Sequence, residues 1–380
     1  MKICVAGLGK VGLPIACYFV SLGHRVRGHD VNADLVQRIR EQISPLPYEP
    51  GVTLSGLQVS DQLPDVLFGM EVAYVIVPTP QEGAALSAKW VEQAVASLRG
   101  EWDGLIIVGS TLMPDDANRI CDGVSVVYNP PLIRLGHVIE DLREARVALV
   151  GATYPRAKER LRALWGWGPE VRVVEGDPRS VALAKLAINV SLSLRIAWAN
   201  ELSTVCQKVG ASADVVLQAV GADPRIGGAY LRPGFPPGGP CLPRDLEVWR
   251  GLSHAPIADR VFFSHAEQGR AQVTRLVNGL TRIALRPRVA VLGATYNPGA
   301  LDVTGSRGLA VAEEVLRRGW SVVLYDPAGP WLPAGWAGKV PVVDSVEEAL
   351  VQAEVVVIAT PWPEFDGLEV GGRPVVRCDR

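Results

Sequence analysis

The chain lacks the signatures of a disulfide scaffold, a metal centre or a polyanion-binding surface. Its six cysteines, Cys4, Cys17, Cys121, Cys206, Cys241 and Cys378, are scattered over 380 residues with no CxxC pair. That distribution argues against a zinc ribbon and for a reducing compartment, so no metal and a cytoplasmic setting are expected. The net charge is only −2, which gives no reason to expect nucleic acid or an anionic membrane as a partner. No apolar run of about 18 residues passes without a charge or a break, so no membrane span is expected. A strand begins within two residues of Met1, and no signal peptide is expected ahead of it. What remains is a globular composition, 48% hydrophobic and 21% charged, in a chain too long for one ordinary core.

Residues 2–6 read as a buried parallel strand. Gly7-Leu8-Gly9-Lys10-Val11-Gly12 follows at once, then an apolar helix from Leu13 to Leu22 closed by Gly23, then a strand from His24 to Gly28 that leads to Asp30. This is the dinucleotide fingerprint in its required context. Gly7 allows the tight turn, Gly9 lets the backbone approach a pyrophosphate, and Gly12 lets helix and strand pack closely. Lys10 and Val11 lie inside the same loop, and the helix N-terminus faces the phosphates. Asp30 stands 18 residues after Gly12, where a ribose-binding carboxylate belongs, and its charge favours NAD over NADP. The same turn used for packing alone is the competing reading.

Further strands run from Val72 to Val77, Leu105 to Val108, Val124 to Tyr128, Arg146 to Val150 and Val171 to Val174, giving a sheet of roughly eight strands. Two of them end in Pro78-Thr79-Pro80 and Gly109-Ser110-Thr111, at the edge where open α/β sheets bind ligands, so Thr79 and Thr111 offer hydroxyls to a cofactor. Each is equally explained as a cap or turn residue. From Val181 through Val205 apolar positions recur at helical spacing with no Gly or Pro, which predicts one helix of about 28 residues. Lys185 and Asn189 share one of its faces; an exposed polar pair is the plain alternative.

The loop Gly238-Gly239-Pro240-Cys241-Leu242-Pro243-Arg244-Asp245 sets a thiol among glycines and charge. Glycines admit a ligand close to the backbone, and a thiol flanked by charge suits nucleophilic catalysis. A surface loop with an inert buried cysteine fits the local residues as well. Beyond it, a helix from about Ala255 to Leu285 precedes a second α/β unit: strand Arg288–Leu292 ending in Gly293, helix Ser306–Arg318, strand Ser321–Tyr325 ending in Asp326, helix Ser345–Ala353, and strand Glu354–Ala359 ending in Thr360-Pro361. It reads as a reduced copy of the first unit without GxGxxG, suited to another nucleotide.

Taken together, these stretches resemble the UDP-glucose/GDP-mannose dehydrogenase family over essentially the whole chain. The resemblance rests on Gly7 to Pro14, Tyr48-Glu49-Pro50-Gly51, Val77 to Pro80, Ser110-Thr111, Tyr128-Asn129-Pro130, Lys185 to Asn189, Asp223 to Gly227 and Gly238 to Asp245. It implies oxidation of the C6 alcohol of a nucleotide sugar to a carboxylate with two NAD. Cys241 would form a thiohemiacetal and then a thioester. Lys185 and Asn189 would stabilise the oxyanion, and Asp245 would help proton transfer through water. It further implies cofactor contacts from Pro78, Thr79, Thr111 and Arg244. Substrate contacts would come from Leu132, Arg134, Lys185, Asn189, Tyr230, Leu231, Arg232, Gly234 and Gly238, with Arg225 near a subunit interface.

The expected organisation is two Rossmann-like doubly wound α/β domains joined by a long central helix and a small all-helical domain. The NAD-binding domain would span 1–178, the helical dimerisation domain 179–275 and the nucleotide-sugar domain 276–380, in a homodimer. Five departures qualify the resemblance, one of them Pro240 in place of the serine before the cysteine. Pro131 stands where the family carries the glutamate of the hydrolysis step, and Arg244 where it carries a lysine. Tyr296-Asn297-Pro298 and Thr304-Gly305-Ser306 replace its Phe-Lys-Pro and Arg-Glu-Ser. A single hydride transfer on another hydroxyl, or a non-catalytic binding protein, therefore remain as alternatives.

Overall fold

The computed structural model describes every residue except 44–48, 50, 122–124, 154–155, 254, 333 and 379–380. Tyr48 and Pro50, and the expected strand start at Val124, lie outside the described residues. The chain divides into two compact units, Met1–Ala187 and Ile188–Arg380. The helix Pro178–Val209 runs through the boundary between them.

The first unit is built on an eight-stranded sheet. Across it the strands lie in the order Arg172–Gly176, Val147–Gly151, Val126–Tyr128, Leu105–Val108, Val72–Val75, Lys2–Ala6, Arg25–His29 and Gln58–Ser60. All pairs are parallel except one antiparallel residue pair, Tyr128 with Gly151. Continuous apolar runs such as Val72–Val75 and Leu105–Val108 are buried along their whole length, because helices cover both faces of a parallel sheet. Chain order reverses between Lys2–Ala6 and Val72–Val75, so the crevice for a ligand opens beyond their carboxyl ends. The edge strand Gln58–Ser60 has too few residues to stand out by pattern, and the sequence reading omits it.

Two glycines set the helix Gly12–Ser21 against the sheet. Gly7 has φ +99°, and a Cβ there would lie 2.2 Å from the Ile76 carbonyl oxygen. A Cβ on Gly12 would lie 1.9 Å from the carbonyl oxygen of Gly7. No side chain fits either position.

The second unit holds a four-stranded parallel sheet in the order Val322–Tyr325, Val289–Leu292, Val355–Ile358, Val375–Arg377. It repeats the glycine device. Gly293 has φ +99°, and a Cβ on Gly308 would meet the Gly293 carbonyl oxygen at 1.9 Å. The paired glycines stand five residues apart in the first unit and fifteen in the second. The intervening loop hides the kinship from a GxGxxG search.

Ahead of this sheet the unit carries helices: the end of the long helix, Ala213–Ala222, Leu242–Ser253 and Pro256–Leu280. Leu242–Ser253, directly after Cys241, is absent from the sequence reading, although Pro243 at its start is a helix-initiating signal. The long helix has 32 residues and an 18-residue window of mean hydropathy 1.4, enough by length and composition to cross a bilayer. Lys185 and Arg195 interrupt it. Val181, Ala182 and Leu186 are buried in the first unit, and Val190, Ala197 and Ala199 in the second.

Replacing Gly308 with Ala should lower stability by about 1–3 kcal/mol, because backbone must move to admit the methyl group. Gly100, in the helix Lys89–Glu101, has open space around it, so Gly100→Ala should instead add about 0.5–1 kcal/mol. Urea midpoints of the two variants read the contrast; an unchanged midpoint for Gly308→Ala would show that the contact yields freely.

Candidate active site

The first unit offers a dinucleotide cradle. Gly7 and Gly12 are packing glycines, whereas Gly9 is exposed and a Cβ there would meet nothing within 4 Å. Its open side is where a backbone can receive a pyrophosphate. Exposed Lys10 and half-buried Val11 flank it. Asp30 shapes this loop. Its Oδ2 accepts from the Leu8 amide at 2.7 Å and its Oδ1 from the Asn32 amide at 2.9 Å. The carboxylate stays partly exposed, so lone pairs remain for ribose hydroxyls. On the other side of the crevice the hydroxyl of Ser110 accepts from the Val77 amide at 2.9 Å and donates to the Val77 carbonyl at 2.8 Å. This stitch places exposed Pro78, buried Thr79 and half-buried Thr111 together at the two strand ends. The residues fit a bound NAD.

Further along the sheet, Asn129 is sewn into a buried network. Its Nδ2 donates to the Leu149 carbonyl at 2.7 Å, its Oδ1 accepts from Trp165 Nε1 at 2.8 Å, and its carbonyl accepts from the Tyr74 hydroxyl at 3.1 Å. Pro130-Pro131 follows directly from this anchored residue. Lys185 Nζ donates to the Pro131 carbonyl at 3.0 Å, and Lys185 is only 8% exposed. The exposed-pair alternative for Lys185 and Asn189 is thus excluded, since both are buried. Leu132 is half-buried beside this contact. The guanidinium of exposed Arg134 is gripped by Asp141, with Nη2 to Oδ1 at 2.6 Å. Glu49 is buried, accepts from the Ile139 amide at 3.2 Å, and burial pushes its carboxyl above the usual range.

The second unit assembles the cysteine loop. The Asp245 amide donates to the Cys241 carbonyl at 2.9 Å, which makes Cys241 the residue that opens the helix Leu242–Ser253. A helix N-terminus favours a thiolate. Asp245 is completely buried. Its Oδ2 accepts from Asn189 Nδ2 at 2.6 Å, and its Oδ1 accepts from Arg244 Nε at 2.9 Å and Nη2 at 2.8 Å. Arg244 is therefore committed to Asp245.

The glycines before Cys241 are packed against two segments of the second sheet's loops. The Gly239 amide donates to the Thr304 carbonyl at 2.7 Å. Gly239 has φ +83° and lies under the Tyr296 ring, 2.6 Å from a would-be Cβ, while Gly238 abuts the Gly305 carbonyl. Sequence alone does not connect Tyr296 and Thr304 with the cysteine, because the contact bridges more than fifty residues.

Upstream, Tyr230 has φ +58° and, with Arg232, is exposed, whereas Leu231 is buried and Gly234 half-buried. Arg225 projects into solvent and pairs with Asp223 at 2.6 Å.

The second sheet's acidic strand end differs from the first. Asp326 is 2% exposed. Its Oδ2 accepts from the Ala294 and Thr295 amides at 2.5 and 2.8 Å, the Thr295 hydroxyl at 3.1 Å and Trp362 Nε1 at 3.3 Å. Saturated in this way, it is not placed to bind a ribose as Asp30 is.

Three domain models of one family match along the chain: an NAD binding domain over residues 1–166, a central domain over 179–260 and a UDP binding domain over 290–376. The chain belongs to the UDP-glucose/GDP-mannose dehydrogenase family. Family members are NAD-dependent nucleotide-sugar dehydrogenases, and NAD is the cofactor of the first domain. The UDP-glucose 6-dehydrogenase AglM of Haloferax volcanii is 28% identical, over 97% of this chain and 93% of its own length. A UDP-glucose dehydrogenase structure from Pyrobaculum islandicum is 31% identical, with a TM-score of 0.83 over 99% of this chain and 94% of that one. A UDP-D-ManNAc dehydrogenase from Pyrococcus horikoshii shares the fold, at 24% identity and a TM-score of 0.79, over 100% of this chain and 95% of that one.

None of the six cysteines forms a disulfide; burial pushes Cys4 and Cys121 up to about 12 and Cys17 up to about 11, and Cys206 and Cys378 are buried. Iodoacetamide at about pH 8 should therefore label the native protein first at Cys241, and all six only in denaturant. Mass mapping that finds another cysteine labelled as fast would remove Cys241 from this role.

Proposed function

We propose that this protein oxidises the C6 alcohol of a UDP-sugar to the carboxylate in two NAD-dependent steps, with Cys241 as the nucleophile. The observation that carries the reading is Cys241 at the start of a helix whose first turn is tied to Asn189 through the buried Asp245. The matching UDP binding domain and the UDP-glucose dehydrogenase relatives support the substrate class.

When bound, NAD accepts hydride; the chain's residues do the rest. The Cys241 thiolate adds to the aldehyde carbonyl and gives a thiohemiacetal, then, after the second oxidation, a thioester that water cleaves. Holding the aldehyde covalently keeps a reactive species from escaping. Asn189 Nδ2 carries two hydrogens. Asp245 takes one and so aims the other, and with the Lys185 ammonium one helical turn away it provides oxyanion stabilisation. Burial of both Asp245 oxygens in hydrogen bonds favours this orienting role over proton transfer through water. Pro131 offers no side-chain base, which keeps a single-oxidation outcome as the second reading.

We further propose a homodimer formed through the exposed apolar positions Trp198, Val205, Val209 and Val215. Six cysteines with no disulfide among the described residues support a cytoplasmic setting.

With UDP-glucose and excess NAD, two NADH should form per sugar, read at 340 nm, and Cys241→Ala should stop the reaction before the carboxylate. One NADH per sugar would select the second reading, and none with NAD still bound would defeat both. Sedimentation should give twice the monomer mass of 40.7 kDa, and Trp198→Glu should return it to the monomer value; a wild-type monomer would rule the dimer out.

A further inference from the structure

The segment 226–234, which carries Tyr230, Leu231 and Arg232, has no regular secondary structure beyond turns, yet it is fastened at both ends from the long helix. At one end Arg195 acts as a three-pronged donor. Its Nε donates to the Ala229 carbonyl at 2.5 Å, its Nη1 to the Ile226 carbonyl at 3.2 Å, and its Nη2 to the Gly227 carbonyl. At the other end Asn200 Oδ1 accepts from the Gly234 amide at 2.8 Å, and Gln272 Nε2 donates to the Gly234 carbonyl at 2.7 Å. Gly234's own polarity therefore decides which way both amides point. Gln272 Nε2 also approaches Asn200 Oδ1 at 3.4 Å, which couples the two. Between the fastenings, Leu231 is buried with Ala199 and Leu217.

We infer that Arg195, with Asn200 and Gln272, is a positioning residue that holds the segment 226–234 in the conformation that receives the nucleotide sugar. Three features carry this. The segment has no ladder of its own, so its backbone carbonyls need outside donors, and Arg195 supplies three at once. Tyr230 occupies the left-handed region at φ +58°, a conformation that persists only where surroundings enforce it. Among the described residues Arg195 makes no ion pair, so its charge is spent on neutral carbonyls and adds positive potential beside the segment that the family resemblance assigns to the anionic nucleotide sugar. The inference rests on the proposed UDP-sugar dehydrogenase activity.

The test compares Arg195→Ala, Arg195→Lys and Asn200→Ala in the full chain, with steady-state kinetics and amide hydrogen exchange of 226–234. Arg195→Ala should raise KM for UDP-glucose about ten- to hundred-fold, with KM for NAD within about two-fold and kcat changed far less. Lysine keeps the charge but cannot reach three carbonyls, so Arg195→Lys should recover part of the loss. Exchange should quicken in 226–234 and not elsewhere. An unchanged KM for the sugar despite faster local exchange would overturn the inference. So would exchange that quickens across the whole chain in all three variants, which marks a structural role only. Should Arg195→Ala fail to fold, Asn200→Ala carries the same kinetic split at the Gly234 end. Should the wild-type chain turn over no UDP-glucose, the activity itself is wrong. The clamp is then judged by exchange alone: quickening confined to 226–234 supports it, and none overturns it.

Discussion

A carboxylate sealed from water is the constraint on which the cysteine loop depends. Asp245 is fully buried, and a charge in that position is tolerable only if its oxygens are taken up by donors. Asn189 from the long helix takes one, and Arg244 the other. Losing either partner would leave a buried charge short of a hydrogen bond, at a cost of about 3–5 kcal/mol for a fully buried pair and less here, because Arg244 is itself partly exposed. The first turn after Cys241 is consequently locked in register against the long helix. The thiol's position then follows from the helix that it opens, and the orientation of the Asn189 amide from the same carboxylate.

A second constraint appears twice. In both sheets the first strand ends in a glycine with positive φ, and a later glycine on the following helix presses its Cα against that residue's carbonyl. In both, an acidic residue after the second strand receives amides from the turn. The two copies part company through packing around the acid. Asp30 keeps an open side, and Asp326 is smothered by Trp362 and Thr295. The extra ten residues of the second loop also carry Tyr296, Thr304 and Gly305 to the cysteine glycines. One ancestral-looking turn thus serves a dinucleotide in one place and a loop clamp in the other.

What could be read from sequence was whatever physics places nearby in the chain. The fingerprint Gly7 to Gly12 with Asp30 declares itself because turn, helix and acid sit within one βαβ span. The long helix was legible from its uninterrupted period, and only its ends moved, to Pro178 and Val209. The strands Gln58–Ser60 and Val375–Arg377 were not, being three-residue edges with no room for a pattern. Arg195 left no signal in the sequence, because its partners stand more than thirty residues away and are backbone carbonyls, which leave no trace in side-chain identity. Burial of Lys185 was equally hidden, since its partner is the carbonyl of a proline.

That last contact alters how Pro131 is understood. Considered as a side chain, proline at this position removes an acid and adds nothing. Considered as backbone, it presents a carbonyl just beyond the anchored Asn129, and the Lys185 ammonium is seated on it. A carbonyl fixes an ammonium's direction as a glutamate would, but it brings no negative charge to offset the cation. The position therefore orients the lysine through its backbone, and its side chain has no proton to move. The hydrogen bonds at Lys185 and Asn189 do not depend on a side-chain acid at this position. In the proposed reaction, position 131 therefore supplies no side-chain base for cleavage of the thioester.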